Sequence, residues 1–230
     1  MKANHYILLI LTVFFLSACK KENMCDCLKR TGKIVREERP VPHVKNFRIG
    51  KTKMNCYFKM DTVYKVEVEA GDNLIDLITT EVEGDTLYIT NNNKCNFSRS
   101  YKPQINIYIS TPDLNGIVQH GEGNIESVNT LTGNYIKMET WSTCDITMDL
   151  NCQFFYSHLH GGTSLTVTGF ARDHYSSMWH TSTVFADNLH TVATAVYANS
   201  TGNLYCQADS SLSGSMYLSG DIIYSGNPAV

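Results

Sequence analysis

Gly123-Asn124-Ile125, Cys144-Asp145-Ile146, Thr163-Ser164-Leu165, Ser182-Thr183-Val184, Gly202-Asn203-Leu204 and Gly220-Asp221-Ile222 repeat one pattern about every 20 residues. Each triplet is a small residue, a turn-forming polar residue and an aliphatic one. The stretches between them alternate like strands and carry almost no charge. A single unit of this size cannot bury its apolar face alone, so the pattern predicts coils stacked about 4.8 Å apart into a parallel solenoid. Like residues then stack on like, giving aliphatic ladders along the axis.

Working outward from the first triplet, Ile125 and Ser127 are expected to point inward, with Leu131 six residues past the anchor. Ile146, Met148 and Cys152, and then Leu165, Val167 and Ala171, fall at the same offsets. Val184 with Ala186, and Leu204 with Cys206, keep the opening alternation. Ile136 and Met138 begin a second inward face. The polar column Asn124, Asp145, Ser164, Thr183, Asn203 and Asp221 reads as corner chemistry, since such residues bond nearby backbone at a bend. A calcium-binding β-roll is the rival, but its repeat is shorter and only Asp145 and Asp221 are acidic here.

Before the repeats, residues 44–113 read as a separate β region. Asn55 to Lys59 is one strand. Tyr64, Val66 and Val68 share a face opposite Lys65, Glu67 and Glu69. Leu74, Ile75, Leu77 and Ile78 fit one or two helical turns. Gly84-Asp85 joins Thr79–Glu83 to Thr86–Thr90 in a hairpin. Ile105, Ile107 and Ile109 line another strand, which Pro112 ends. These strands either begin the solenoid or cap it, because an open terminal coil would expose unpaired edges.

The front of the chain reads as an address. Lys2 and the short apolar run Ile7 to Leu16 suit a signal peptide over residues 1–18 rather than a membrane span. Leu16-Ser17-Ala18-Cys19 resembles a bacterial lipobox, which implies cleavage before Cys19 and lipidation of that cysteine, followed by a tether over 19–43. The partner so implied is a membrane, reached through the lipid anchor. Lys20 stands where an aspartate would resemble an inner-membrane retention signal, so the expected site is the outer membrane, facing either the periplasm or the outside.

The net charge of −3 comes with no basic stripe, which argues against nucleic acid as a partner. No cofactor is implied. Eight cysteines leave seven beyond Cys19, an odd number in an oxidising compartment. Cys56 and Cys95 are the expected disulfide. Cys25-Asp26-Cys27 lacks the spacing of a zinc site. Cys152 and Cys206 lie about three coils apart, or about 14 Å along the axis. A disulfide needs Cα atoms within about 7 Å, so these two are expected to be buried thiols.

The candidate binding surface is an offset column. His120, Trp141, His160 and Asn199 each precede their repeat's anchor by five residues, and His180 precedes Val184 by four. His158 and His160 share a strand face, a spacing that also suits a metal, because neutral imidazole is a common ligand. Tyr135, Tyr156, Tyr175 and Trp179 are further aromatic candidates, whereas Phe155 is expected in the core. The sequence assigns no catalytic residue: acids are few and unpaired, and no nucleophile elbow is present.

The lipobox, the segment Asn93-Lys94-Cys95-Asn96-Phe97-Ser98-Arg99-Ser100-Tyr101-Lys102, the strand Ile105-Asn106-Ile107-Tyr108-Ile109 and the Gly-Asp/Asn-Ile repeats resemble the auto-transporter adhesin "head GIN" domain family. Ser219-Gly220-Asp221-Ile222-Ile223-Tyr224-Ser225-Gly226-Asn227-Pro228 is similar to that family's final coil. The resemblance spans roughly Val41 to Val230. It implies a right-handed single-stranded parallel β-helix lipoprotein, with adhesion implied by the family name and no catalytic residues to transfer. At Trp141-Ser142-Thr143-Cys144 and His180-Thr181-Ser182-Thr183 bulkier residues replace the glycine-rich turn.

The expected function is a non-enzymatic binding or adhesion module of the cell envelope, with glycan or protein as ligand. A polysaccharide-acting enzyme on a β-helix and a purely structural envelope protein are the alternatives.

Overall fold

The computed structural model describes residues 30–94 and 105–230. The leader, Cys19, Cys25, Cys27, Cys95 and the family-like segment from Cys95 to Lys102 lie outside them.

The anchors stack as the repeat requires. Backbone register pairs Ile125 with Ile146, Ile146 with Leu165, Leu165 with Val184, Val184 with Leu204, and Leu204 with Ile222, all in parallel strands. The anchors from Ile125 to Leu204 are buried. Each such aliphatic side chain contributes about 1.5–3 kcal/mol when fully withdrawn from water, so the ladder is the fold's main source of stability. The result is a β-solenoid of about six turns.

Its coils are built from β8 (Gly116–Gln119), β9 (Ile125–Ser127), β10 (Leu131–Thr140), β11 (Asp145–Leu159), β12 (Ser164–His180), β13 (Thr183–Ser200), β14 (Leu204–Ala208), β15 (Ser211–Met216) and β16 (Ile222–Gly226). The middle strands run unbroken through a corner; in β12 Gly169 takes it at φ 99°, close against the Leu150 carbonyl of the coil before. One offset differs from expectation. Leu131 pairs with Leu150, and Cys152 pairs with Ala171, so Leu131 and Cys152 occupy different ladders. The exposed corner Val128–Thr130 makes the first coil longer there and shifts the second face.

The N-terminal region both begins the solenoid and caps it, and does so out of sequence order. β2 (Asn46–Ile49) and β3 (Asn55–Met60) pair in parallel with β8 and β9 of the following coil. On their other side lie β6 (Thr86–Asn91) and β7 (Asn106–Thr111), also parallel. The later chain segment therefore lies beneath the earlier one, and the anchor ladder continues from Ile125 through Cys56 to Ile107. Antiparallel strands close this end. β4 (Lys65–Gly71) covers β7, β1 (Ile34–Glu38) covers β4, and β5 (Ile78–Glu83) covers β6 across the Gly84-Asp85 turn. Strand β1 lies within the stretch expected to be tether. The apolar cluster after β4 forms a single 3-10 turn, Ile75–Leu77.

Two details refine the corner reading. The polar column bonds the neighbouring coil rather than its own bend: Asp145 N–H donates to Asn124 Oδ1 at 3.4 Å, and Asp221 N–H to Asn203 Oδ1 at 3.0 Å. Where the small corner residue is not glycine, its hydroxyl turns inward. Thr163 Oγ1 donates to the Ser142 carbonyl at 2.8 Å and meets Thr140 Oγ1 at 2.9 Å. In the bulkier His180–Thr183 corner, the buried Ser182 Oγ accepts from Trp179 N–H at 3.1 Å.

Cys56, Cys144, Cys152 and Cys206 are free, buried thiols. Burial pushes Cys152 up to about 12 and Cys206 up to about 11, and raises Cys56. Cys56, the expected partner of Cys95, sits in the anchor ladder as a small apolar residue.

Candidate functional site

Strand parity sets the site. In β11, Phe155, Ser157 and Leu159 point inward, so Phe154, Tyr156 and His158 face out, with His160 just beyond the strand. Parallel register then lays the outward residues of successive coils beside one another. Lys137 neighbours Tyr156, which neighbours Tyr175; Glu139 neighbours His158, which neighbours Ser177 and then Tyr197.

The predicted column is a physical stack. Trp141 and His160 lie face to face, with centroids 4.1 Å apart and planes at 10°. His160 and Trp179 follow at 5.5 Å and 8°. Beside them Tyr156 stacks on Tyr175 at 5.4 Å, Tyr135 on Phe154 at 5.6 Å, and Tyr197 tilts against Trp179 and Tyr217. Stacks of this kind add about 0.5–1.5 kcal/mol each beyond the area they bury.

Three candidate residues sit differently from expectation. Trp179, not His180, is the column's member in its coil: it pairs with Asn199 and stacks on His160. A strict five-residue offset from Val184 lands on Trp179, so the signal was present. His180 is the one non-glycine with positive φ among the described residues, at 64°. It marks the corner, where its Nδ1 accepts from Gly161 N–H at 3.3 Å and its ring tilts 49° from His160. His120 shares the rung, but its Nε2 accepts from Arg48 Nε at 3.0 Å instead of stacking.

His158 and His160 are drawn together. Their Nε2 atoms are 2.8 Å apart, and Tyr156 Oη lies 3.2 Å from His158 Nδ1. A consistent proton assignment has Tyr156 O–H donating to His158 Nδ1, and His158 Nε2–H donating to His160 Nε2. Burial holds both imidazoles below the usual histidine range, with repulsion from His158 and His180 adding to the effect on His160. Burial also lowers His120, and Arg48 adds to it. Glu139 is pushed up by burial, yet hydrogen bonds from Lys137 and the Trp141 indole N–H outweigh this and leave its carboxyl low. Among the described residues, no group of three histidine, cysteine or acidic side chains converges to hold a metal ion.

A third histidine lies inside. His174 follows Phe155 on the inward ladder, stacks on it at 5.0 Å, and shares a hydrogen bond with Ser157 Oγ at 3.0 Å. Ser157 in turn donates to Ser176 at 3.1 Å. Full burial pulls His174 down to about 4. Parity with Phe155 would have placed it in the core from the sequence.

Two surface depressions flank the ladder strands. One of about 220 Å³ is lined by Phe154, Asp173, Tyr175, Thr194, Ser211 and Ser213, among others; the second, about 150 Å³, is lined by Lys53, Asn55, Tyr57, Asn124 and Glu126. Each has one carboxylate.

Residues 50–228, most of the repeat-bearing chain, match the family described as "Putative auto-transporter adhesin, head GIN domain". The chain belongs to this family. Solved structures share the fold. A putative adhesin from Bacteroides fragilis superimposes with a TM-score of 0.74 at 20% identity, covering 85% of this chain and 96% of its own. A putative adhesin from Parabacteroides distasonis gives 0.61 at 16% identity, covering 86% and 96%. A protein from the same species called a putative lipid binding protein gives 0.58 at 15% identity, with the same coverage. No curated protein matches the chain. In this head GIN member the aliphatic ladders fill the interior.

Proposed function

We propose that this protein is a non-enzymatic binding module of the cell envelope, lipid-anchored through Cys19, that holds a glycan on its outer aromatic face. The observation that carries the reading is how the aromatic stack ends. Within a ladder each ring covers its neighbour's face and offers only its edge; His160, between Trp141 and Trp179, has no free face. Trp141 differs. Its ring partners, His158 and His160, both come from the following coil, and the side chain remains 49% exposed. On the coil beneath, Trp141 adjoins the rung of His120, which is tied to Arg48, and takes no ring partner there among the described residues. A flat apolar face bordered by hydrogen-bonding groups is what a sugar ring requires.

The outer faces carry no second carboxylate in either depression, whereas glycoside hydrolysis uses a pair. The adhesin description of the family points to binding.

The test is a glycan array with mature protein and with Trp141→Ala. Wild type should give a defined set of glycan signals that fall by about tenfold in the variant, the scale of losing one stacked ring. A Phe170→Ala control on another face should bind as wild type. Signals unaffected by Trp141→Ala would refute the site. Silence on the array with capture of a protein that depends on Trp141 would transfer the face to a protein ligand.

A further inference from the structure

The His158–His160 pair goes beyond the binding reading and is independent of it. We infer that these two imidazoles form a transition-metal site for copper(II), bound through both Nε2 atoms with solvent completing the coordination.

Geometry permits a shared ion. Bonds of about 2.0–2.1 Å meeting at a right angle separate two imidazole nitrogens by about 2.9 Å, and a tetrahedral angle separates them by about 3.3 Å. The two Nε2 atoms, 2.8 Å apart in their hydrogen bond, reach either span by a small turn of one ring. Two protein ligands, with no third converging side chain among the described residues, differ from the closed four-ligand set of structural zinc. Imidazole suits copper, nickel and zinc alike, and the order of divalent affinities peaks at copper.

The surroundings prepare the ligands. His160 is clamped between two indole rings, at 4.1 and 5.5 Å. His158 has its Nδ1 beside Tyr156 Oη, a partner of the kind that orients metal-bound histidines from outside the coordination shell. The second torsion of histidine is soft, so His158 turns its lone pair from its neighbour to a shared ion at little cost. The proton balance closes. The hydrogen now shared between the Nε2 atoms moves to His158 Nδ1, where the phenol oxygen accepts it, and both imidazoles stay neutral. Glu139, on the adjoining rung, adds negative potential while tied to Lys137 and Trp141.

The chain supplies its own reporter. It has two tryptophans, Trp141 and Trp179, and both flank His160. The experiment titrates copper(II) chloride into the mature chain, its accessible thiols alkylated, in a non-coordinating buffer, and follows tryptophan emission. Quenching should saturate at one equivalent, and the bound ion should show nitrogen splitting from two imidazoles in its paramagnetic resonance spectrum. Zinc chloride should compete without quenching. His158→Ala and His160→Phe, the second of which retains a ring in the stack, should each weaken copper binding by at least about tenfold. His190→Ala, at an exposed position of β13 on the rung of Phe170, should bind as wild type. Circular dichroism checks that each variant is folded. Unsaturable quenching in wild type, or an unchanged midpoint in the folded His158→Ala and His160→Phe variants, overturns the site.

Discussion

Lowering the pH from 7 to 4 should destabilise this protein, and His174 should account for a separable part of the loss. Its imidazole is fully buried among Phe155, Ser157 and Ser176, and burial holds its pKa down at about 4, against about 6.5 for a free imidazole. Above 6.5 the ring is neutral in both folded and unfolded chains and contributes nothing to the pH dependence. Between 6.5 and about 4 only the unfolded chain takes up the proton, so stability falls as pH falls, by up to about 1.4 kcal/mol per pH unit. Below about 4 the whole difference is lost, about 3 kcal/mol. The assay is urea unfolding of wild type and His174→Phe at intervals from pH 7.5 to 4. The variant keeps a ring against Phe155 and leaves Ser157 its bond to Ser176. Burial also lowers His120, His158 and His160, and hydrogen-bonded carboxylates such as Glu67 and Asp113 titrate low, but all are common to both proteins and cancel in the difference. The stability gap should therefore narrow, or reverse in favour of the variant, as pH falls from 6.5 to 4. Parallel curves across that window would refute the placement of His174 as a neutral core residue.

Two further outcomes follow from the coil geometry and the leader. A Cβ on Gly123 would lie 1.7 Å from the Met54 carbonyl oxygen of the coil beneath. Gly123→Ala should cost at least about 2 kcal/mol by forcing the coils apart. Gly84→Ala, at φ 60° with open space around it, should cost about 1 kcal/mol; urea midpoints in the reverse order would contradict the stacking. In cells fed labelled palmitate, the wild-type chain should be labelled and Cys19→Ala should not, and label retained in the variant would remove Cys19 as the anchor.

The repeat was legible because a solenoid corner leaves few options. A backbone passing close over the coil beneath needs glycine or a small residue, as at Gly123 and Gly202, and the next inward position needs an aliphatic one. The same periodicity placed the Trp141–His160 stack. The first coil was harder. Its Val128–Thr130 corner holds two residues more than the matching corner of the next coil, so counting from Ile125 aligned Leu131 with Cys152, whereas hydrogen bonding aligns it with Leu150. The buried His174 was passed over although its parity with Phe155 was readable, since histidine is expected to seek water.

The sequence by itself determined that the chain forms stacked coils, which side chains line them and which column stacks outside, because local period and residue size decide those. Only the tertiary structure decided that 86–91 and 106–111 lie beneath 46–49 and 55–60, that antiparallel strands seal that end, and that two imidazoles meet at 2.8 Å. Those depend on pairings between segments distant in the chain and on side-chain torsions, neither of which leaves a period to read.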